Sequence, residues 1–178
     1  QMTREALKKF PSGKYQYTDY LDNDGIKLDE RIKISVEAII DEGQITFDFN
    51  KTSKEVKGPF NCVPSGSLSA ACFALRVLTG SDIPTNGGCF RPLNLILPEG
   101  SIVNPNEPAP VNARTSTIKR ITGCMVNAFQ EVLSERATAD SASEMLILQF
   151  GGTHYDGRRF IVGELIASGS GAGVSTDG

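Results

Sequence analysis

The segment Pro84-Thr85-Asn86-Gly87-Gly88-Cys89-Phe90-Arg91-Pro92 holds a guanidinium between proline and glycine turns. A side chain placed this way can meet a carboxylate or phosphate through two parallel N–H bonds. It can equally hydrogen-bond loop carbonyls and fix the loop that carries it. Asn61, Asn112 and Arg114 pose the same choice, because each is a polar group in an irregular segment, able to line a cleft or to satisfy local backbone. His154 is the single histidine, with Asp156 two residues on. These are the residue types of a base and its orienting carboxylate, and also those of an exposed turn. Cys62 and Cys89 lie in loops rich in proline or glycine, where a thiol paired with His154 could act as a nucleophile. No neighbour in sequence marks either thiol as activated. The four cysteines form no CxxC pair and read as reduced, mostly buried thiols.

Other patterns exclude chemistry. One histidine leaves only carboxylates to complete a metal site, so no metal ligand is assigned. Gly151-Gly152 and the glycines from Gly169 to Gly173 lack the spacing of a phosphate-binding loop or a dinucleotide fingerprint. A nucleotide site within the chain is therefore not expected. Ser65-Gly66-Ser67-Leu68-Ser69 is not a nucleophile elbow and reads as a serine-rich helix start.

The elements that must position these groups are legible from periodicity. Met2 to Phe10 reads as a short helix closed by Pro11-Ser12-Gly13. Lys14 to Asp22 reads as a strand and Asp22-Asn23-Asp24-Gly25 as a turn. Ile32, Ile34 and Val36 alternate with Lys33 and Ser35, and Ile45, Phe47 and Phe49 alternate with Thr46 and Asp48. Asp41-Glu42-Gly43-Gln44 joins them as a hairpin turn. The first fifty residues thus predict an antiparallel meander with one solvated face. Leu68, Ala71, Cys72, Leu75 and Leu78 predict a helix over Ser67–Thr79, capped by Ser65 or Ser67 and ended by Gly80. Leu93 to Leu97 is a short apolar strand. Ile118, Ile121, Met125, Ala128, Phe129 and Val132 predict a second helix, starting at Thr115 to Thr117 and running to about Arg136. Met145–Phe150 and Arg159–Ala167 read as strands, joined by a glycine-rich loop over Gly151–Gly157. The expected fold is α+β, a mostly antiparallel β-sheet with two long amphipathic helices packed on it, in one domain over residues 1–178.

Composition sets outer limits. With 39% apolar and 22% charged residues and a net charge of −3, the 178 residues are those of an ordinary globular chain. No basic stripe interleaved with aromatics points to nucleic acid, and no apolar run reaches membrane-spanning length. The start, Gln1 to Glu5, is polar and helix-like with no apolar signal sequence behind it. The expected location is the cytoplasm. The glycine-rich close, from Ser168 to Gly178, reads as a loop leading to a further element, so an internal segment of a longer chain is expected.

Several of these loops carry a resemblance. Asp48-Phe49 with Thr52-Ser53, then Val56-Lys57-Gly58-Pro59-Phe60-Asn61, resembles the core signature of the hydantoinase B/oxoprolinase family. The later motifs follow in the same order: Pro84, Asn86 and Gly88-Cys89-Phe90-Arg91-Pro92, then Pro98-Glu99-Gly100-Ser101 with Asn104-Pro105. Phe150-Gly151-Gly152, Gly157-Arg158, Glu164, Gly169, Gly171-Ala172 and Asp177-Gly178 complete the series. Tyr20-Leu21-Asp22 and the Asp24-Gly25 turn fit as well.

The resemblance implies a B-type subunit of an ATP-dependent hydrolase that opens C–N bonds of cyclic amides such as hydantoins or 5-oxoproline. It implies an A-type ATP-binding subunit as partner, in a hetero-oligomer. ATP would phosphorylate the substrate's carbonyl or enol oxygen, and the activated species would be opened by water, or carboxylated in the acetone and acetophenone carboxylases. ATP and magnesium would sit on the partner. B-type subunits are several times longer than this chain, and a divalent metal would belong to flanking sequence, leaving no cofactor bound by this segment. On this reading Arg91 is expected as an anion clamp and Glu164 as a polarising or orienting group, with Asn61 and Asn112 binding substrate. The isolated chain is expected to fold but to lack activity. Convergence of Asn61, Arg91 and Glu164 on one cleft would suit an enzyme wall. Scattered positions would suit a scaffold that docks the partner.

Overall fold

The computed structural model describes residues 1–80, 82–133, 139–141, 145–167, 169–173 and 176–177. The chain forms two compact units, Gln1–Ala137 and Thr138–Gly178. The first contains α1 (Met2–Leu7), β1 (Gly13–Leu21), β2 (Ile32–Asp41), β3 (Gln44–Asp48), α2 (Pro64–Thr79), β4 (Leu93–Ile96) and α3 (Arg114–Asn127). The second contains β5 (Met145–Thr153) and β6 (Arg159–Ala167). The α+β class is as the periodicity predicts.

In the first unit the sheet order is β1-β2-β3-β4. β1 and β2 run antiparallel with Tyr17 opposite Val36, and β2 and β3 with Ala38 opposite Phe47. Glu42 and Gly43 both adopt positive φ, at 45° and 75°, the conformation a two-residue hairpin turn matching the strand twist requires. β4 departs from the meander. It pairs parallel to β3, with Phe47 opposite Leu95, and α2 lies in the crossover between them.

The period-two pattern decides which face is buried. Ile32, Ile34, Val36, Ala38 and Ile40 are buried together with Ile45, Phe47 and Phe49, while Lys14, Gln16 and Thr18 lie on the exposed side of β1. The buried face meets Ala70, Ala71, Ala74, Leu75 and Leu78 of α2 and Ile121, Cys124 and Met125 of α3 in one core. Each large aliphatic or aromatic side chain so buried contributes roughly 1.5–3 kcal/mol relative to exposure. Phe129 closes one end of the core, its ring 4.8 Å from Tyr15 and 5.9 Å from Phe10. Arg120 of α3 reaches Asp19 of β1 at 2.5 Å, tying helix to sheet by charge as well as packing.

The helices differ from expectation at their ends. α1 stops at Leu7, and residues 8–10 continue as turns. α2 begins at Pro64, with Val63 extended as its N-cap and no side-chain cap bond. Proline at the first turn loses no hydrogen bond, because its missing N–H would be an orphan there anyway. Ser67, expected as a cap, instead donates its hydroxyl to the Val103 carbonyl at 2.9 Å. The buried face of α2 is also rotated from the predicted one. Ala70 and Ala74 are inside, and Leu68 is exposed. α3 ends at Asn127 rather than near Arg136. The apolar period continues because Phe129 stays in the core through single turns, with the Val132 and Leu133 amides both donating to its carbonyl. Residues 134–138, and Arg136 with them, lie outside the described residues.

The second unit is an antiparallel hairpin with Leu148 opposite Glu164 and Gly152 opposite Phe160. β5 is longer than predicted, so Gly151 and Gly152 are strand residues rather than loop. Gly152 leaves room for the Phe160 ring, whose Cζ would stand 2.8 Å from an added Cβ. The turn closes by His154 N–H donating to the Arg158 carbonyl at 2.8 Å and Gly157 N–H to the His154 carbonyl at 2.9 Å. Ala139 N–H donates to the Ala172 carbonyl, drawing the ends of this unit together. An added Cβ at Gly171 would stand 1.7 Å from the Ala139 carbonyl oxygen, so this approach requires glycine.

Candidate functional site

Arg91 stands at the end of a chain of tight turns. The Asn86 carboxamide oxygen accepts the Gly88 N–H at 2.8 Å, Cys89 N–H donates to the Asn86 carbonyl at 3.0 Å, and Leu93 N–H donates to the Phe90 carbonyl at 3.0 Å. Ile45 N–H then donates to the Pro92 carbonyl, anchoring the loop to the sheet as β4 begins. The turns bury Cys89 and leave the Arg91 side chain exposed. It faces a groove of about 500 Å³, lined also by Asn86 and by Gln1 to Arg4 at the start of α1. Neither Arg91 nor Arg4 has an ion pair or side-chain hydrogen bond among the described residues. Two arginines without an ion pair among the described residues therefore line one concavity, which can receive an anion with planar or tetrahedral oxygens.

Asn61 does not line that groove. It is fully buried, and its carboxamide oxygen accepts the Val56 N–H at 2.9 Å. Its Nδ2 donates to the Val56 and Pro110 carbonyls at 2.8 and 3.0 Å, with the Gly58 carbonyl at 3.3 Å. Of the two roles open to Asn61 in the sequence, these contacts are those of backbone satisfaction. They fasten the loop around 56–61 to the segment before α3. Ala113 N–H donates to the Pro59 carbonyl at 2.8 Å in the same junction, and the Thr117 hydroxyl donates to the Phe60 carbonyl. Asn112 lies at this junction with its side chain exposed, and Arg114 beside it donates to the Val111 carbonyl at 3.3 Å.

The remaining candidates separate. Glu164 is exposed on β6, in the second unit. The Asp156 carboxylate accepts both the backbone N–H and the Nε of Arg158, at 3.1 and 2.7 Å, so its hydrogen bonds go to arginine rather than to His154. The His154 ring lies 4.9 Å from that of Phe160. Cys62 is buried, and burial pushes its thiol pKa up, against smaller opposing effects of the Ser67 hydroxyl and the Arg114 charge. A thiol held protonated in this way is not an activated nucleophile. Among the described residues no three His, Cys, Asp or Glu side chains gather as metal ligands. No described helix is long and apolar enough to cross a membrane.

One polar centre is visible in the sequence only as a turn. Asp24 is buried, its Oδ1 accepting the Ile26 and Lys27 amides at 2.8 and 2.7 Å and its Oδ2 the Gly58 amide at 3.2 Å. These bonds hold its pKa below the usual carboxylate range, with the Lys27 amide first and the Ile26 amide second in effect. Gly58 fits because a Cβ there would stand 1.6 Å from the Asp24 carbonyl oxygen. Nothing local in the sequence links two positions 34 residues apart.

The hydantoinase B/oxoprolinase family model matches residues 1–178. The chain is 35% identical over 161 residues to 5-oxoprolinase 1 of Arabidopsis thaliana, covering 90% of this chain and 12% of that protein. It is 30% identical over 164 residues to the B-type subunit of a putative D-/L-hydantoinase from Pseudomonas sp., covering 85% and 27%. Its fold resembles the ATP-dependent caprolactamase of Pseudomonas jessenii with a TM-score of 0.78 at 24% identity, over 90% of this chain and 28% of that one. An acetone carboxylase in its nucleotide-free state gives a TM-score of 0.74 at 18% identity, over 97% and 25%. The chain thus spans a small part of the length of the proteins it matches. By the match over its whole length, the chain belongs to the hydantoinase B/oxoprolinase family.

Proposed function

We propose that this chain forms part of the B-type component of a cytoplasmic, ATP-dependent enzyme that opens small cyclic amides, working in a hetero-oligomer with an ATP-binding A-type partner. Family membership supports the reaction class, and the convergence of Arg4 and Arg91 on one groove carries the proposal into this chain. An unstrained cyclic amide is a poor electrophile. Converting its oxygen to a phosphate ester supplies a leaving group and adds negative charge. Arg91 would hold that charge, with Arg4 across the groove, in a site where fixed donors need no rearrangement as charge develops. Asn112 does not line this groove, and Glu164 belongs to the second unit. Asn61 would hold the loop framework rather than touch substrate. ATP and its magnesium would be supplied by the partner, and any divalent metal by parts of the enzyme other than this segment.

A second reading, a non-catalytic scaffold that docks the partner, is favoured by the burial of Asn61 and by the apolar side chains exposed along the hairpin. A third, a carboxylase-type component, is favoured by the fold shared with acetone carboxylase. The discriminating experiment supplies the protein and its A-type partner with ATP and, separately, 5-oxoproline, hydantoin, caprolactam, or acetone with bicarbonate. ATP consumption stimulated by a cyclic amide, with ring-opened product, is expected. Stimulation by acetone and bicarbonate alone would replace this reading with the third.

A further inference from the structure

A second concavity, of about 320 Å³, lies where the loop after β1 meets the loop after β3. Four cations line it: Lys27 and Arg31 from the first loop, Lys54 and Lys57 from the second. Three carboxylates also line it, and each is already engaged. Asp24 accepts three backbone amides, Glu30 pairs with Lys27 at 3.0 Å, and Glu55 accepts the Asn106 N–H at 2.6 Å. Arg31, Lys54 and Lys57 have no ion pair or side-chain hydrogen bond among the described residues. Four cations against three carboxylates leave a local excess of one positive charge, in a chain whose net charge is −3.

Solvated lysines on mobile loops would give the same set of residues. Here the backbone beneath each cation is pinned. Lys27 donates its own amide to buried Asp24, and Lys57 precedes Gly58, whose amide donates to the other oxygen of that carboxylate. Lys54 bridges to Ser101, and beside it Ser53 donates its amide to the Lys33 carbonyl at 2.9 Å while its hydroxyl accepts the Lys33 amide at 3.0 Å. Arg31 leads directly into β2. The Asp24–Gly58 contact admits no side chain at position 58, so the two cation-bearing loops are held face to face. Arg31, Lys54 and Lys57 have no ion-pair partner among the described residues, and an anion between them would offset the cost of holding them together. One arginine fork and three lysine ammonium groups around one concavity suit a tetrahedral anion better than a single carboxylate.

We propose that the groove between these loops is a binding site for phosphate, as the free dianion or as the phosphate group of a small ester. The proposal does not rest on the role of Arg91. It is tested by following backbone amide NMR signals of the intact chain during titration with inorganic phosphate, with acetate at matched ionic strength as control. Saturable shifts at Lys27, Arg31, Lys54 and Lys57 are expected with phosphate and not with acetate. The K54A/K57A double variant should weaken binding about tenfold or more, with shifts elsewhere showing the fold intact, and R91A should leave this binding unchanged. Glycerol phosphate in place of inorganic phosphate distinguishes an ester ligand from the free anion. Non-saturating shifts spread over many lysines, shifts confined to Arg91 and Arg4, or undiminished binding in K54A/K57A would each overturn the proposal.

Discussion

The two units use apolar residues in opposite ways. In the sheet unit Ile34, Ala38, Ile45, Phe47 and Phe49 alternate with polar neighbours and are wholly or almost wholly buried beneath α2 and α3. In the hairpin unit Leu146, Ile147, Leu148 and Phe150 follow one another almost without a break, and Ile161 and Leu165 stand 84% and 68% exposed. Alternation marks a strand with one wet face, whereas a continuous apolar run marks a strand meant for cover on both. A two-stranded hairpin is marginal in water without such cover. The sheet unit therefore carries its own stability within this chain, and the hairpin does not.

Truncation of one apolar side chain in each unit should separate them most. Phe47→Ala should cost about 3–5 kcal/mol, because it leaves a cavity among packed neighbours. Ile161→Ala in the hairpin should stay within about 0.5 kcal/mol. Thermal or denaturant unfolding of both variants checks this, and equal losses would refute it. Next in size, Asn61→Ala should cost about 2–4 kcal/mol, since it strips partners from the half-buried amide of Val56 and the carbonyls of Val56 and Pro110 and empties a fully buried position. The loss should appear as early hydrogen exchange around residues 56–61 and not in the hairpin. Gly58→Ala should destabilise by about 1–3 kcal/mol, because its methyl would overlap the Asp24 carbonyl.

A smaller effect depends on pH. The folded pKa of Asp24 lies below its unfolded value, so its contribution is present above the ordinary carboxylate range and is lost as pH falls through the folded pKa. The Tm of the wild type should therefore drop more steeply between about pH 5 and pH 3 than that of Asp24→Asn. Parallel slopes would show that the Asp24 latch contributes little.

These contrasts also show what a sequence makes legible. The strand faces are readable because alternation is a local signal, and Ile32 to Ile40 declare their buried side unaided. The parallel partner of β3 is not, because pairing Phe47 with Leu95 depends on a crossover through α2 that no local pattern encodes. The start of α2 differs from expectation because Ser65 and Ser67 look like caps, while Pro64 with extended Val63 suffices without one. Asn61 is legible as a residue with a purpose but not as a buried latch, since its partner Pro110 lies 49 residues away. Asp24 and Gly58 escape for the same reason. Arg91 is readable because its own turns, through Asn86 and Gly88, are local.

If the Arg91 groove serves ATP-dependent opening of a cyclic amide, turnover of the amide must depend on the Arg91 guanidinium. This dependence is read from kcat/KM for the amide, in the protein with its A-type partner, for the wild type, Arg91→Lys and Arg91→Ala. Loss of the fork should lower kcat/KM about a hundredfold in Arg91→Ala, with partial recovery in Arg91→Lys and an unchanged Tm. Wild-type kcat/KM in a folded Arg91→Ala protein would contradict the claim and leave the chain as a scaffold.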